Sequence, residues 1–186
     1  MLLILFAMSG AASLIYEVLW VRRLANLLGG SSISVTIIVT SFMAGLGLGS
    51  WLLGKVSDRL SQGQLAKAYI MLQIGVAFYG LALPYILQLV EFVYVGLHHQ
   101  FQLGVFAFNA LRIILAFIVM AVPTTFMGGT LPIISRYLIR KKDVIDINIS
   151  RLYAANTFGA ITGTVSAGYL LLPYLGMNYT KMTAVL

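Results

Sequence analysis

Residues 2–21 read LLILFAMSGAASLIYEVLWV, about 20 positions with Glu17 as their only charge. An apolar run of this length matches a hydrocarbon core of roughly 30 Å when wound as an α-helix. A transmembrane β-strand would instead alternate apolar and polar residues over about 10 positions. This stretch does not alternate, so it is read as a membrane-spanning helix. Its start loosely mimics a secretory signal. No basic residue precedes it, however, and the apolar run continues past the small residues, which favours a retained first span.

Similar runs follow. A second span is expected over 32–53, after the turn at Gly29 and Gly30, and a third over 68–89 with a kink at Pro84. The tail from Glu91 to Gln102 reads as interfacial. A fourth span runs from 103 to 122. The apolar stretch from Pro123 to Ile139 then either continues it or forms a broken, partly re-entrant piece. A fifth span covers 152–172 and stops at Pro173. The last ten residues open another apolar segment too short to cross a bilayer, so a longer parent chain is expected.

Composition agrees. Hydrophobic residues make up 60% of the 186 and charged residues 9%, against roughly 25% charged in soluble domains. So few charges cannot cover a water-facing surface, and lipid is the expected solvent. The net charge of +7 reads as topology, because the cations collect in short loops: Lys55, Arg59 and Lys67 in one, Arg136, Arg140, Lys141, Lys142 and Arg151 in another. Both loops fall on one side, placed in the cytoplasm with the N-terminus. No basic patch interleaved with aromatics suggests nucleic acid. Without cysteine, disulfides and thiolate chemistry are excluded.

The chemistry-bearing residues are few. Glu17 is costly inside a span, so it either locks the first helix to its neighbours through a polar network or meets a cationic ligand or a proton. Arg112, Tyr153 and Asn156 are the other interior polar candidates, and Arg112 could pair with Glu17. His98 and His99 point in different directions on a helix and have no further ligand at metal spacing. Gly45-Leu46-Gly47-Leu48-Gly49 lies mid-span without a preceding strand, so a dinucleotide reading fails. No catalytic residue, metal site or cofactor is assigned. Gly45 and Gly49 in the second span, and Gly159 and Gly163 in the fifth, repeat at four-residue spacing and make flat faces for close helix packing. Those faces serve the bundle itself, a homodimer partner or another membrane subunit.

Four ordered segments carry a resemblance: residues 9–22 (SGAASLIYEVLWVR), 42–51 (FMAGLGLGSW), 123–132 (PTTFMGGTLP) and 151–160 (RLYAANTFGA). Together they resemble the membrane region of fused MFS/spermidine synthase-like proteins, over nearly the whole chain. Residues 54–59 (GKVSDR) are similar to the loop after the second helix of major facilitator transporters. The resemblance implies a single all-α transmembrane domain over 1–186, a bundle of about five to six spans like half of a major facilitator fold. It also implies a cytoplasmic aminopropyltransferase-like domain beyond residue 186, whose catalytic residues have no counterpart here.

The expected role is a non-catalytic module in the bacterial inner membrane, acting as anchor or polyamine conduit. An accessory subunit of a respiratory or photosynthetic complex, and a half-transporter working as a dimer, are the competing readings.

Overall fold

The computed structural model of the chain describes residues 2–101, 104–139 and 145–185. The described residues are helical with short connections. The elements are α1 (Leu2–Leu27), α2 (Ser32–Ser57), α3 (Gln62–Phe101), α4 (Val105–Ile139), α5 (Ile145–Val165), a π-helical segment (Ser166–Leu171) and α6 (Leu172–Val185). Among the described residues, five helical stretches are long and apolar enough to cross a membrane: 3–27, 32–57, 62–97, 106–138 and 149–177.

The outer surface of α3 shows why lipid suits this chain. Met71, Ile74, Phe78, Leu81, Tyr85, Leu89 and Phe92 recur every three or four residues and are all exposed. A soluble helix would put charges on that face. Val76, Leu83, Leu87 and Val90 of the same helix are buried. Both sides of α3 are therefore apolar, and it is packing rather than polarity that separates inside from outside.

The turn between α1 and α2 is set by glycine chemistry. Gly29 (φ 96°) and Gly30 (φ 65°) adopt left-handed conformations, and the Gly30 N–H closes α1 onto the Ala25 carbonyl at 2.7 Å. Ser31 then caps α2, accepting from the Ser34 N–H at 3.2 Å, while the Ser34 hydroxyl donates to the Leu28 carbonyl at 3.0 Å. The polar stretch 55–67 is mostly helical, because α2 continues to Ser57 and α3 begins at Gln62. An ion pair between Arg136 and Asp58, at 3.4 Å, joins the ends of α4 and α2.

Two helix pairs form the body: α2 lies along α4, and α1 along α5. Both depend on missing side chains. A Cβ on Gly49 would overlap the Thr125 backbone, one on Gly45 the Thr124 side chain, and one on Gly128 the Leu46 backbone. In the other pair, Gly159 meets the Ala7 backbone and Gly163 the Ala11 backbone. Ala7 to Ala11 and Gly159 to Gly163 advance together, so α1 and α5 run parallel.

Three helices extend, settle or correct the sequence reading. First, α3 does not end at the membrane edge but stays helical to Phe101, since its apolar faces continue past Pro84. Second, 123–139 is not re-entrant, and α4 runs unbroken through Pro123 and Pro132. Pro123 lacks the N–H that would bond the Val119 carbonyl, and the Tyr79 hydroxyl of α3 donates to that oxygen at 2.6 Å. Third, Pro173 does not stop the fifth span. The π-helical turn just before it widens the helix, with the Leu172 N–H reaching back to the Ala167 carbonyl, so that the proline ring is accommodated. The chain bends instead at Gly176 (φ 73°).

Tyr79 belongs to the largest core cluster. Tyr16 stacks on Trp20 (centroids 5.3 Å, 27°), and Trp20 meets Tyr79 edge-on (6.0 Å, 72°). The Tyr16 hydroxyl is buried beside Gly80 without a hydrogen-bond partner among the described residues.

Two substitution pairs test this packing by equilibrium unfolding in mixed micelles. Gly49→Val and Gly159→Val should each cost about 1–3 kcal/mol or more by overpacking, whereas Gly47→Ala, which faces open space, should be neutral or slightly stabilising. Tyr79→Phe should cost about 1–3 kcal/mol by orphaning the Val119 carbonyl, while Tyr16→Phe should cost no more than about 0.5 kcal/mol.

Candidate functional site

Glu17 sits mid-way along α1, half-buried, between the buried Tyr16 and the half-buried Val18. Among the described residues no hydrogen bond or ion pair reaches its carboxylate. The parallel register of α1 and α5 fixes its surroundings along the membrane normal. Ala7 faces Gly159, Ala11 faces Gly163 and Gly10 faces Asn156, and the register between these contacts carries Glu17 to about Ser166, where the π-helical segment Ser166–Leu171 begins. A π turn shifts hydrogen bonds from the fourth to the fifth residue and exposes backbone oxygen locally, which is why such turns recur at functional sites. The level of the bundle that carries the carboxylate is thus also the level where an adjacent helix is wound open.

Two of the other interior candidates, Asn156 and Tyr153, do not gather around Glu17. Asn156 lies on α5 against α1, where its backbone and side-chain carbonyls fill the space that a Cβ on Gly10 would need. That contact lies in the Ala7–Ala11 stretch of α1, about two turns before Glu17. Tyr153 is exposed at 59%, on the outer face of α5, and its backbone carbonyl accepts from the Thr157 hydroxyl at 2.9 Å. Arg112 lies on α4, and its side chain is outside the described residues, as are those of His98 and His99. The pairing of Glu17 with Arg112 therefore lies outside the described residues. Among the described residues no three His, Asp or Glu side chains gather as a metal site would require.

Sequence reading missed two polar groupings. In the first, the Gln73 amide of α3 donates to the Ser9 hydroxyl of α1 and, at 2.9 Å, to the Tyr69 hydroxyl. This ties α1 to α3 near the Phe6 end of the bundle. The second is a cavity of about 390 Å3 between the last turns of α1 and the half of α3 beyond Pro84. Arg23 and Asn26 line it from one side, Gln88 and Glu91 from the other. Gln88 and Glu91 are three apart and share a helix face, a signal visible in sequence. Their meeting with Arg23 across two helices is not.

Comparison with known proteins adds one relative. Over 182 residues, 95% of the chain, the sequence is 26% identical to a polyamine aminopropyltransferase of Corynebacterium efficiens. The aligned region covers 31% of that protein, so the chain spans about a third of the length of the curated relative it matches. No family model matches the chain, and no solved structure matches it. The chain is a helical bundle, with five membrane-length apolar helices among the described residues and a distant similarity to one part of a polyamine aminopropyltransferase.

Proposed function

We propose that this chain is the membrane module of an aminopropyltransferase-like protein, anchoring it in the bilayer and offering Glu17 to protonated amines that cross. The observation that carries the proposal is the similarity along 95% of the chain to less than a third of a polyamine aminopropyltransferase. A region with that share and this hydropathy suits a membrane module joined to a separate enzyme domain. The reading assigns the chain no catalytic step of its own.

The conduit part follows from electrostatics. A polyamine is a multiple cation at neutral pH, and a charge at the bilayer centre costs at least about 2.5–3.5 kcal/mol. A carboxylate part-way across, beside the carbonyl oxygens of an opened helix turn, lowers that barrier. Glu17 has that position, with no partner among the described residues to neutralise it. Arg23, further along the same helix, donates to the Met177 sulfur at 3.1 Å.

Two measurements test the parts separately. Expressed with its enzyme domain, the parent protein should carry aminopropyltransferase activity in the membrane fraction, and removal of residues 1–186 should shift that activity to the soluble fraction. Activity that stays with the membrane after removal sinks the anchor. In proteoliposomes, labelled putrescine uptake should fall at least about tenfold for Glu17→Gln and persist for Glu17→Asp. Equal uptake by wild type and Glu17→Gln sinks the conduit and leaves the anchor standing.

A further inference from the structure

The cavity between α1 and α3 has a definite place along the membrane normal. From Lys67, near the start of α3, the helix rises about 36 Å to Glu91 at about 1.5 Å per residue. The hydrocarbon core is roughly 30 Å thick. With Lys67 at one interface, Glu91 lies in the headgroup layer of the opposite leaflet. Arg23 reaches the same layer from the last turns of α1, because both residues line one cavity. The cavity therefore opens where phospholipid headgroups lie.

Its lining is mixed in a specific way. Arg23 supplies a guanidinium, a planar donor suited to phosphate oxygens. Glu91 supplies a carboxylate, and Gln88 and Asn26 supply amides. An anion alone would meet Glu91, and a cation alone would meet Arg23. A headgroup carrying both charges a few bonds apart satisfies both walls. The volume of about 390 Å3 falls within the roughly 300–1,000 Å3 of small-molecule sites.

The cavity does not stand alone. A second, apolar groove of about 440 Å3 runs beside it along α3, lined by Gln88, Glu91, Phe92, Val95 and Gly96. Gln88, Glu91 and Val95 belong to both. A polar chamber that continues into an apolar groove on a bilayer-facing surface matches one molecule with a charged head and a hydrocarbon tail. A soluble zwitterion would leave the groove without a role.

We infer that this paired cavity and groove bind a zwitterionic aminophospholipid, with Arg23 on the phosphate, Glu91 on the primary ammonium and an acyl chain along Phe92 and Val95. The ammonium must carry N–H donors, because its partners are hydrogen-bond acceptors: the carboxylate of Glu91 and the side-chain carbonyl of Gln88. A trimethylammonium would need an aromatic enclosure, and Phe92 is the one aromatic among the described residues that line the groove. The site thus favours phosphatidylethanolamine over both phosphatidylcholine and phosphatidylglycerol. It is independent of Glu17 and of any transported amine.

Native mass spectrometry of the purified chain, with phosphatidylethanolamine, phosphatidylcholine and phosphatidylglycerol at equal concentration, tests the inference. Wild type should retain phosphatidylethanolamine at least about fivefold over each of the others. Glu91→Gln should abolish the preference over phosphatidylglycerol. Arg23→Gln should lower retention of all three, and so should Val95→Trp, which fills the groove and leaves both charges in place. Circular dichroism confirms that each variant is folded. Retention without headgroup preference, or the same preference in wild type and Glu91→Gln, overturns the site. Thermal stabilisation by free O-phosphoethanolamine, equal to that by the lipid, would assign the cavity to a soluble ligand and overturn the lipid as its occupant.

Discussion

The bond from the Tyr79 hydroxyl to the Val119 carbonyl shows the constraint on which the rest of the bundle depends. In hydrocarbon each backbone polar group must find a partner within the protein, and Pro123 removes one donor from the middle of α4. A hydroxyl from α3 replaces it at 2.6 Å, so α4 crosses without a break. The same economy holds nearby on α4, where the Thr124 and Thr130 hydroxyls donate to the Met120 and Met127 carbonyls of their own helix. Helix continuity here is a property of the neighbourhood rather than of α4 alone.

Satisfied backbones leave dispersion packing to hold the helices together, since lipid tails compete equally for apolar side chains. That is why the two main contacts run through glycine. Gly45, Gly49 and Gly128 bring α2 against α4, and Gly159 and Gly163 bring α5 against α1. The second contact also sets heights. It locks α1 and α5 in parallel register, and that register sets the carboxylate of Glu17 near the level where the π turn of the fifth span begins. A charged group on one helix and a widened turn on another are brought to one height by glycine and alanine.

The membrane-length helices were legible in the sequence because their apolar runs are long and nearly free of charge. What the sequence did not contain was the partner of each exception. Pro123 and Pro132 left both a continuous and a broken helix open, since the donor that decides between them, Tyr79, lies on another helix. Pro173 read as a stop because a π turn has no composition of its own. The four-residue spacing of Gly159 and Gly163 marks a flat face but not the helix it meets, nor whether that helix runs parallel. Glu17 stood out at once as a charge within a span, yet its surroundings depend on the register of α5. Glu91 read as the start of an interfacial tail, and only the folded chain places Arg23 across one cavity from it.

The central claim is that lipid, not water, faces the apolar stripe of α3, and the absence of cysteine makes it directly testable. Single cysteines at Met71, Ile74, Val76, Phe78, Leu81, Leu83 and Tyr85, spin-labelled in a reconstituted bilayer, report accessibility to oxygen and to a polar nickel chelate. The account predicts high oxygen and low nickel accessibility at Ile74, Phe78 and Leu81, and low accessibility to both at Val76 and Leu83. High nickel accessibility along the stripe would show a water-facing helix and contradict the account.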